Sequence, residues 1–229
     1  MMARLTAQVE PRLAGFQASG EIVFELLAAA RNLISVTSKS PGKREAGMTD
    51  QADRLYERLL VLRCQTGDED AYRELIGRYG PRLRYFLRTR LASADRIDDL
   101  LQEVWLEVVR QLPRLQDAGA FTAWIYRIAR GKTTLELRRA GPLRQTPDNV
   151  ETAAAEDEPE FSPEDAARIH RALAELPVEQ REVLALRFLE DLSYEEIGLV
   201  LGCPLGTVRS RIYYAKRALK QLLERSGDG

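Results

Sequence analysis

Ser193-Tyr194-Glu195-Glu196-Ile197-Gly198-Leu199-Val200-Leu201-Gly202-Cys203-Pro204-Leu205-Gly206-Thr207-Val208 is the segment whose reading decides the fold. Its first four residues have the form of a capping box, in which the serine hydroxyl accepts the Glu196 amide N–H and the Glu196 carboxylate reaches back to the Ser193 amide. A helix must start there. It is short, because Ile197, Val200 and Leu201 supply one apolar stripe before Gly202, whose freedom at positive φ suits a helix end. Pro204 cannot continue that helix, so Cys203 to Gly206 turns the chain and a new pattern opens at Thr207. Two helices joined in this way make a helix-turn-helix.

In the second helix of the pair, Val208, Ile212, Ala215, Leu219 and Leu222 recur at steps of four and three and are expected on one buried face. Ser210, Tyr213, Tyr214 and Arg217 then point the opposite way, with Arg209 and Lys216 on a flank. Leu205 to Arg225 holds six Lys or Arg and one Glu, so this face attracts phosphate and its start can reach base edges. A solvated basic helix would show the same charge. The turn in front of it is what points to DNA.

Outside this segment, 229 residues with 45% hydrophobic and 30% charged side chains describe a helical protein of one large or two small domains. The net charge of −1 hides a segregation of sign. Arg127 to Arg144 carries six Lys or Arg and one Glu, whereas Asp148 to Asp165 carries eight acids and no base. Cys64 and Cys203 have no paired spacing and read as reduced thiols of a cytoplasmic protein. His170, the single histidine, stands alone, which argues against metal coordination and against Ser-His or Cys-His catalysis. Neither a cofactor nor an enzymatic activity is expected.

Residues 1–47 form a leader in which Ile22 to Ile34 has amphipathic spacing but no apolar run long enough for a membrane span or signal core, so no membrane insertion is expected. Met48 opens the first organised stretch and is expected to be an alternative or true start, with the leader dispensable; intact mass from the native host would decide between Met1 and Met48. Helical patterns follow over Leu55 to Arg63 and Asp68 to Tyr79, and Pro81 is expected to open a further helix. The strongest periodicity is Ile97, Leu100, Leu101, Val104, Trp105, Val108, Val109 and Leu112. Its opposite face shows Asp99, Gln102, Glu103, Leu106 and Arg110, an exposed leucine among acids that hints at a protein partner. After a loop, Phe121 starts a helix with Trp124, Ile125, Ile128 and Ala129 inward. Its other side is basic: Arg127, Arg130, Lys132, Arg138 and Arg139, with Trp124 and Tyr126 interleaved, make the combination of cations and rings that single-stranded nucleic acid uses, the alternative being core aromatics beside solubilising arginines.

The stretch 141–161 lacks periodicity and is rich in Pro, Ala, Asp and Glu, the composition of a flexible acidic linker. With Ala140 it reaches roughly 70 Å when extended, about two turns of B-DNA. Ser162-Pro163 restarts helix with Ile169, Leu173 and Leu176 inward, and Pro177 begins the helix carrying Val183, Leu184 and Phe188. The expected fold is all-α: a helical domain over 48–140, the linker over 141–161, and a helix-turn-helix domain over 162–225.

Four segments resemble a bacterial extracytoplasmic-function sigma factor: Asp99 to Val104, Phe121 to Arg130, Leu176 to Leu189, and Gly206-Thr207-Val208-Arg209-Ser210-Arg211. Their order and spacing match over roughly Asp53 to Arg225. The resemblance implies an initiation factor that binds core RNA polymerase through Asp99, Gln102, Glu103 and Leu106. It implies capture of the opened minus-ten element by Trp124, Tyr126, Arg127, Arg130, Lys132, Arg138 and Arg139, with bases flipped into the protein. Duplex reading of the minus-thirty-five element falls to Thr207, Arg209, Ser210, Arg211, Tyr213, Tyr214, Lys216 and Arg217. An anti-sigma factor is the further partner it implies. The chain departs from the family pattern at Gly131, Leu135 and Tyr214. A stand-alone helix-turn-helix regulator is the alternative; it would bind duplex tightly without polymerase.

Overall fold

The computed structural model describes residues 46–91, 93–140 and 163–225, so the expected linker and nearly all of the leader lie outside the described residues. Within them are eight α-helices, two short 3-10 turns and no strand. The helices are α1 (Ala46–Gln65), α2 (Glu69–Arg88), α3 (Ala94–Gln111), α4 (Phe121–Ala140), α5 (Pro163–Glu175), α6 (Val178–Phe188), α7 (Tyr194–Leu201) and α8 (Leu205–Arg225). The first of them begins at Ala46, ahead of Met48.

Helices α1 to α4 form one body. Asp68 caps α2, its Oδ1 accepting from the amides of Asp70 and Ala71 at 3.0 and 3.1 Å. Those amide bonds, with the Arg63 guanidinium, hold its carboxyl below the usual range. The expected break at Pro81 does not occur: α2 runs through it. Proline costs about 3 kcal/mol inside a helix because its N–H is missing and its ring crowds the carbonyl four residues back. Here Leu75, Tyr79, Leu83, Phe86 and Leu87 bury one continuous face across the proline, and that burial outweighs the loss. The expected inward set of α3 is buried, Val109 only partly.

The segment between α3 and α4, expected as a plain loop, folds into 3-10 turns at Leu112–Arg114 and Ala118–Ala120. Gln65 holds it from α1, its amide donating to the carbonyls of Leu112 and Leu115 at 3.0 and 2.6 Å. The start of α4 is fixed as firmly: Phe121 meets Tyr79 edge to face at 5.2 Å, and the Thr122 hydroxyl bridges Tyr79 and Glu57.

The second body is α5 to α8. The capping box is present as read, with Ser193 Oγ accepting from Glu196 N at 3.2 Å and Glu196 Oε2 accepting from Ser193 N at 2.8 Å. Gly202 ends α7 at φ +62°. The next helix starts at Leu205 rather than Thr207, because the Pro204 carbonyl already accepts the amides of Thr207 and Val208. Leu223, not Leu222, completes its buried face, as the straight helix drifts past the seven-residue step. Helix α6 is buried from Arg181 through Leu186, all the way round, which requires partners on two sides. One is α8. The other is the first body, whose Arg90 and Arg130 reach Glu182 on α6 while its α4 packs along α7, so the buried residues of both bodies form one continuous cluster.

Candidate nucleic-acid interface

On α8 the outward residues stand where the periodicity places them. Arg209, Ser210, Tyr213, Tyr214 and Arg217 are exposed; Thr207, Arg211 and Lys216 are half-buried. The two tyrosine rings meet edge to face at 5.3 Å, and Lys216 lies 6.0 Å from the Phe188 ring centroid, which fixes the flank. Arg209, Arg211 and Arg217 form no ion pair with any described residue. Most arginines of the first body do. A helix start whose dipole favours anions, a row of uncommitted guanidiniums and two exposed phenols form a surface for phosphate and base edges.

On α4 the residues are more divided. Arg127, Arg138 and Arg139 are exposed, and Trp124 is half-buried against Phe121 at 5.9 Å. Tyr126 corrects the expectation of a stacking ring. It is 1% exposed and packs edge to face on Phe86 at 5.1 Å, because its position on α4 coincides with the buried stripe. Burial first, and then the charge of Glu190, raise its hydroxyl pKa well above the usual phenol range. Arg130 does not face solvent freely either, its Nε lying 3.4 Å from Glu182 Oε1. Lys132 pairs with Glu103 at 3.2 Å, joining α4 to α3. Gly131 is exposed with open space where a Cβ would stand, and Leu135 is also exposed.

On α3, Asp99, Glu103 and Leu106 face outward and Gln102 is partly covered. Asp99 pairs with Arg96 at 3.2 Å. Exposed pairs of this kind are worth about 0–1 kcal/mol, so these acids exchange partners readily.

Sequence reading missed three contacts between the bodies. Arg82 on α2 and Arg90 in the turn after it hold Glu190 and Glu182 of the second body, and His170 on α5 meets Tyr85 of α2 at 6.4 Å. The signal for Glu182 was in the sequence: it adjoins the run Val183-Leu184-Ala185-Leu186, too apolar for a one-sided helix. Among the described residues no group of three or more His, Cys, Asp and Glu is placed to hold a metal, and no helix is long and apolar enough to cross a membrane.

A helix-turn-helix body with free cations, tied to the first helical body with acids on the outer face of its α3, defines a DNA-binding transcription protein. Sigma-70 region 2 matches residues 75–142 and Sigma-70, region 4 matches residues 166–219. The chain is 34% identical over 183 residues to the RNA polymerase sigma-H factor of Pseudomonas aeruginosa, covering 72% of this chain and 92% of that one. It is 33% identical over 181 residues to the ECF RNA polymerase sigma-E factor of Escherichia coli, covering 73% and 94%. The solved structure of the sigma factor RpoE in complex with the anti-sigma factor NepR from Bartonella quintana is similar at TM-score 0.53 and 25% identity, covering 67% of this chain and 96% of that one. The chain belongs to the sigma-70 family, in its extracytoplasmic-function branch, and directs transcription initiation.

Proposed function

We propose that the first body, residues 48–140, docks on core RNA polymerase through Asp99, Gln102, Glu103 and Leu106 and holds the opened minus-ten strand on α4. Trp124, half-buried, offers its accessible part for stacking, while Arg127, Arg130, Lys132, Arg138 and Arg139 neutralise phosphates. Tyr126 acts from beneath as packing. The second body, residues 162–225, reads the minus-thirty-five duplex with Thr207, Arg209, Ser210, Arg211, Tyr213, Tyr214, Lys216 and Arg217, and 141–161 spans between the two. The protein works in the cytoplasm with no catalytic activity of its own. An anti-sigma factor covers it when transcription is not wanted; the similar Bartonella sigma factor was solved in complex with such a partner.

The observation that carries this reading is the uncommitted cation-and-tyrosine face of α8 behind a fully formed capping box. The test is run-off transcription with core polymerase on promoters of the native host. Start sites dependent on this chain are expected, and lost when Asp99 and Gln102 are replaced by Ala. Tight duplex binding with neither polymerase retention nor initiation would instead identify a stand-alone regulator.

A further inference from the structure

Two acids of the second body sit in the seam between the bodies, and each holds arginine of the first. Glu182 is 1% exposed within an apolar helix; its Oε1 meets Arg90 Nη1 and lies 3.4 Å from Arg130 Nε. Glu190 has a side chain only 2% exposed and lies 3.3 Å from Arg82 Nε, while the neighbouring Leu189 carbonyl accepts from Arg82 Nη2 at 2.6 Å. At the exposed rim, Arg54 pairs with Asp191. A carboxylate this buried is tolerated only with its cations in place. The arginines are in the same position from the other side, since Arg90 is itself nearly covered.

We propose that the second body is an internal stand-in for nucleic acid: Glu182 and Glu190 occupy, on Arg82, Arg90 and Arg130, the positions that strand phosphates take in the opened chain. The free protein is thereby closed, with the part of α4 around Arg130 masked. This rests on reading α4 as the single-strand face. Carboxylate and phosphate oxygens both suit a guanidinium fork, so the arginines stay paired in either state and the exchange is close to balanced. The masking is selective. Asp99, Glu103 and Leu106 on α3 remain exposed in the closed chain, as do Arg209, Tyr213, Tyr214 and Arg217 on α8. Polymerase docking and duplex binding therefore need no prior opening, whereas single-strand capture does.

Two measurements on the full chain test this. In the first, E182Q/E190Q is compared with wild type by anisotropy against a fluorescein-labelled single strand bearing the promoter's minus-ten sequence. A closed population of about nine-tenths depresses apparent affinity about tenfold, so the variant should gain about that factor while duplex affinity stays unchanged. In the second, R54C/D191C in a C203S background is bridged with a disulfide-cleavable bis-maleimide; Cys64, buried, does not compete. The bridged chain should lose single-strand binding, keep duplex binding, and recover on reduction. If E182Q/E190Q fails to fold, the bridged chain alone decides. Equal single-strand binding by bridged and released chains, or failure of the R54C/D191C pair to bridge, overturns the proposal. A latch that fails alone leaves promoter opening by the holoenzyme normal; loss of promoter opening itself would overturn the reading of α4 and the masking with it.

Discussion

At the scale of single residues, the second body separates cations that are spoken for from cations that are free. Arg187 pairs with Asp191 at 3.0 Å, whereas Arg209 and Arg217 pair with no described residue and stand on the exposed face of α8. Replacing either with Ala should weaken duplex binding by ~1–3 kcal/mol if it forks onto a guanine, with relaxed preference at one base pair. Gel-shift titration against single-base promoter variants would read this, and unchanged profiles for both would reject this placement of α8. A second prediction concerns buried acids of high pKa. Burial pushes the Cys64 thiol and the Tyr72 and Tyr85 phenols each up to about 12, against ~8.5 and ~10 when unfolded. Between those values the folded chain binds more protons than the unfolded one, so stability is full below about pH 8.5 and falls as pH climbs towards 12. Urea midpoints should drop steadily from pH 8 to pH 10.5; a flat or rising midpoint would contradict it. Tyr126 shows what single-residue reading misses. Its hydroxyl and its place among arginines look like a stacking platform, yet its phase on α4, in step with the buried Ala123 and Ala129, puts the ring against Phe86. Charge near an aromatic says nothing of which way the ring points.

At the scale of elements, local chemistry was legible where it is strong and short-range. Ser193 and Glu196 satisfy each other's backbone as their spacing demands, and Gly202 takes the left-handed conformation. Ser193→Ala should therefore cost about 1 kcal/mol, seen as a lower thermal midpoint of the second body. Gly198 is tighter than its neighbours suggest, since a Cβ there would stand 3.1 Å from the Cys203 carbonyl oxygen where the turn folds back on α7. Gly131 is the opposite case. It lies mid-helix with nothing near its missing Cβ, so Gly131→Ala should stabilise the first body by roughly 0.5–1 kcal/mol through backbone entropy alone. A fall in the urea midpoint would mean that the glycine serves a close approach the free chain does not show. Pro81 escaped local reading because a helix stop is a statement about one hydrogen bond, while the continuity of α2 is set by a core face on both sides of it. The same holds for α6: its buried circumference reports a second neighbour without naming it.

For the whole molecule, the all-helical build and the two bodies were readable, because periodicity and capping are properties of each segment. Their contact was not, because Arg90 and Glu182 lie 92 residues apart and no local pattern links them. On the proposed exchange, that contact gives Arg130 two occupations and Arg138 one. Arg130 lies against Glu182 in the closed chain, while Arg138 is exposed and pairs with no described residue. In the holoenzyme, with α4 open as proposed, Arg130→Ala and Arg138→Ala should both reduce permanganate reactivity of the unpaired minus-ten thymines, each through a lost phosphate contact. In the free chain they should part company. Arg138→Ala leaves the seam untouched, whereas Arg130→Ala removes one of the two cations holding a buried carboxylate, so the chain should expand in small-angle scattering. Equal radii for the two variants would remove Arg130 from the seam, and normal thymine reactivity in both would remove α4 from the strand.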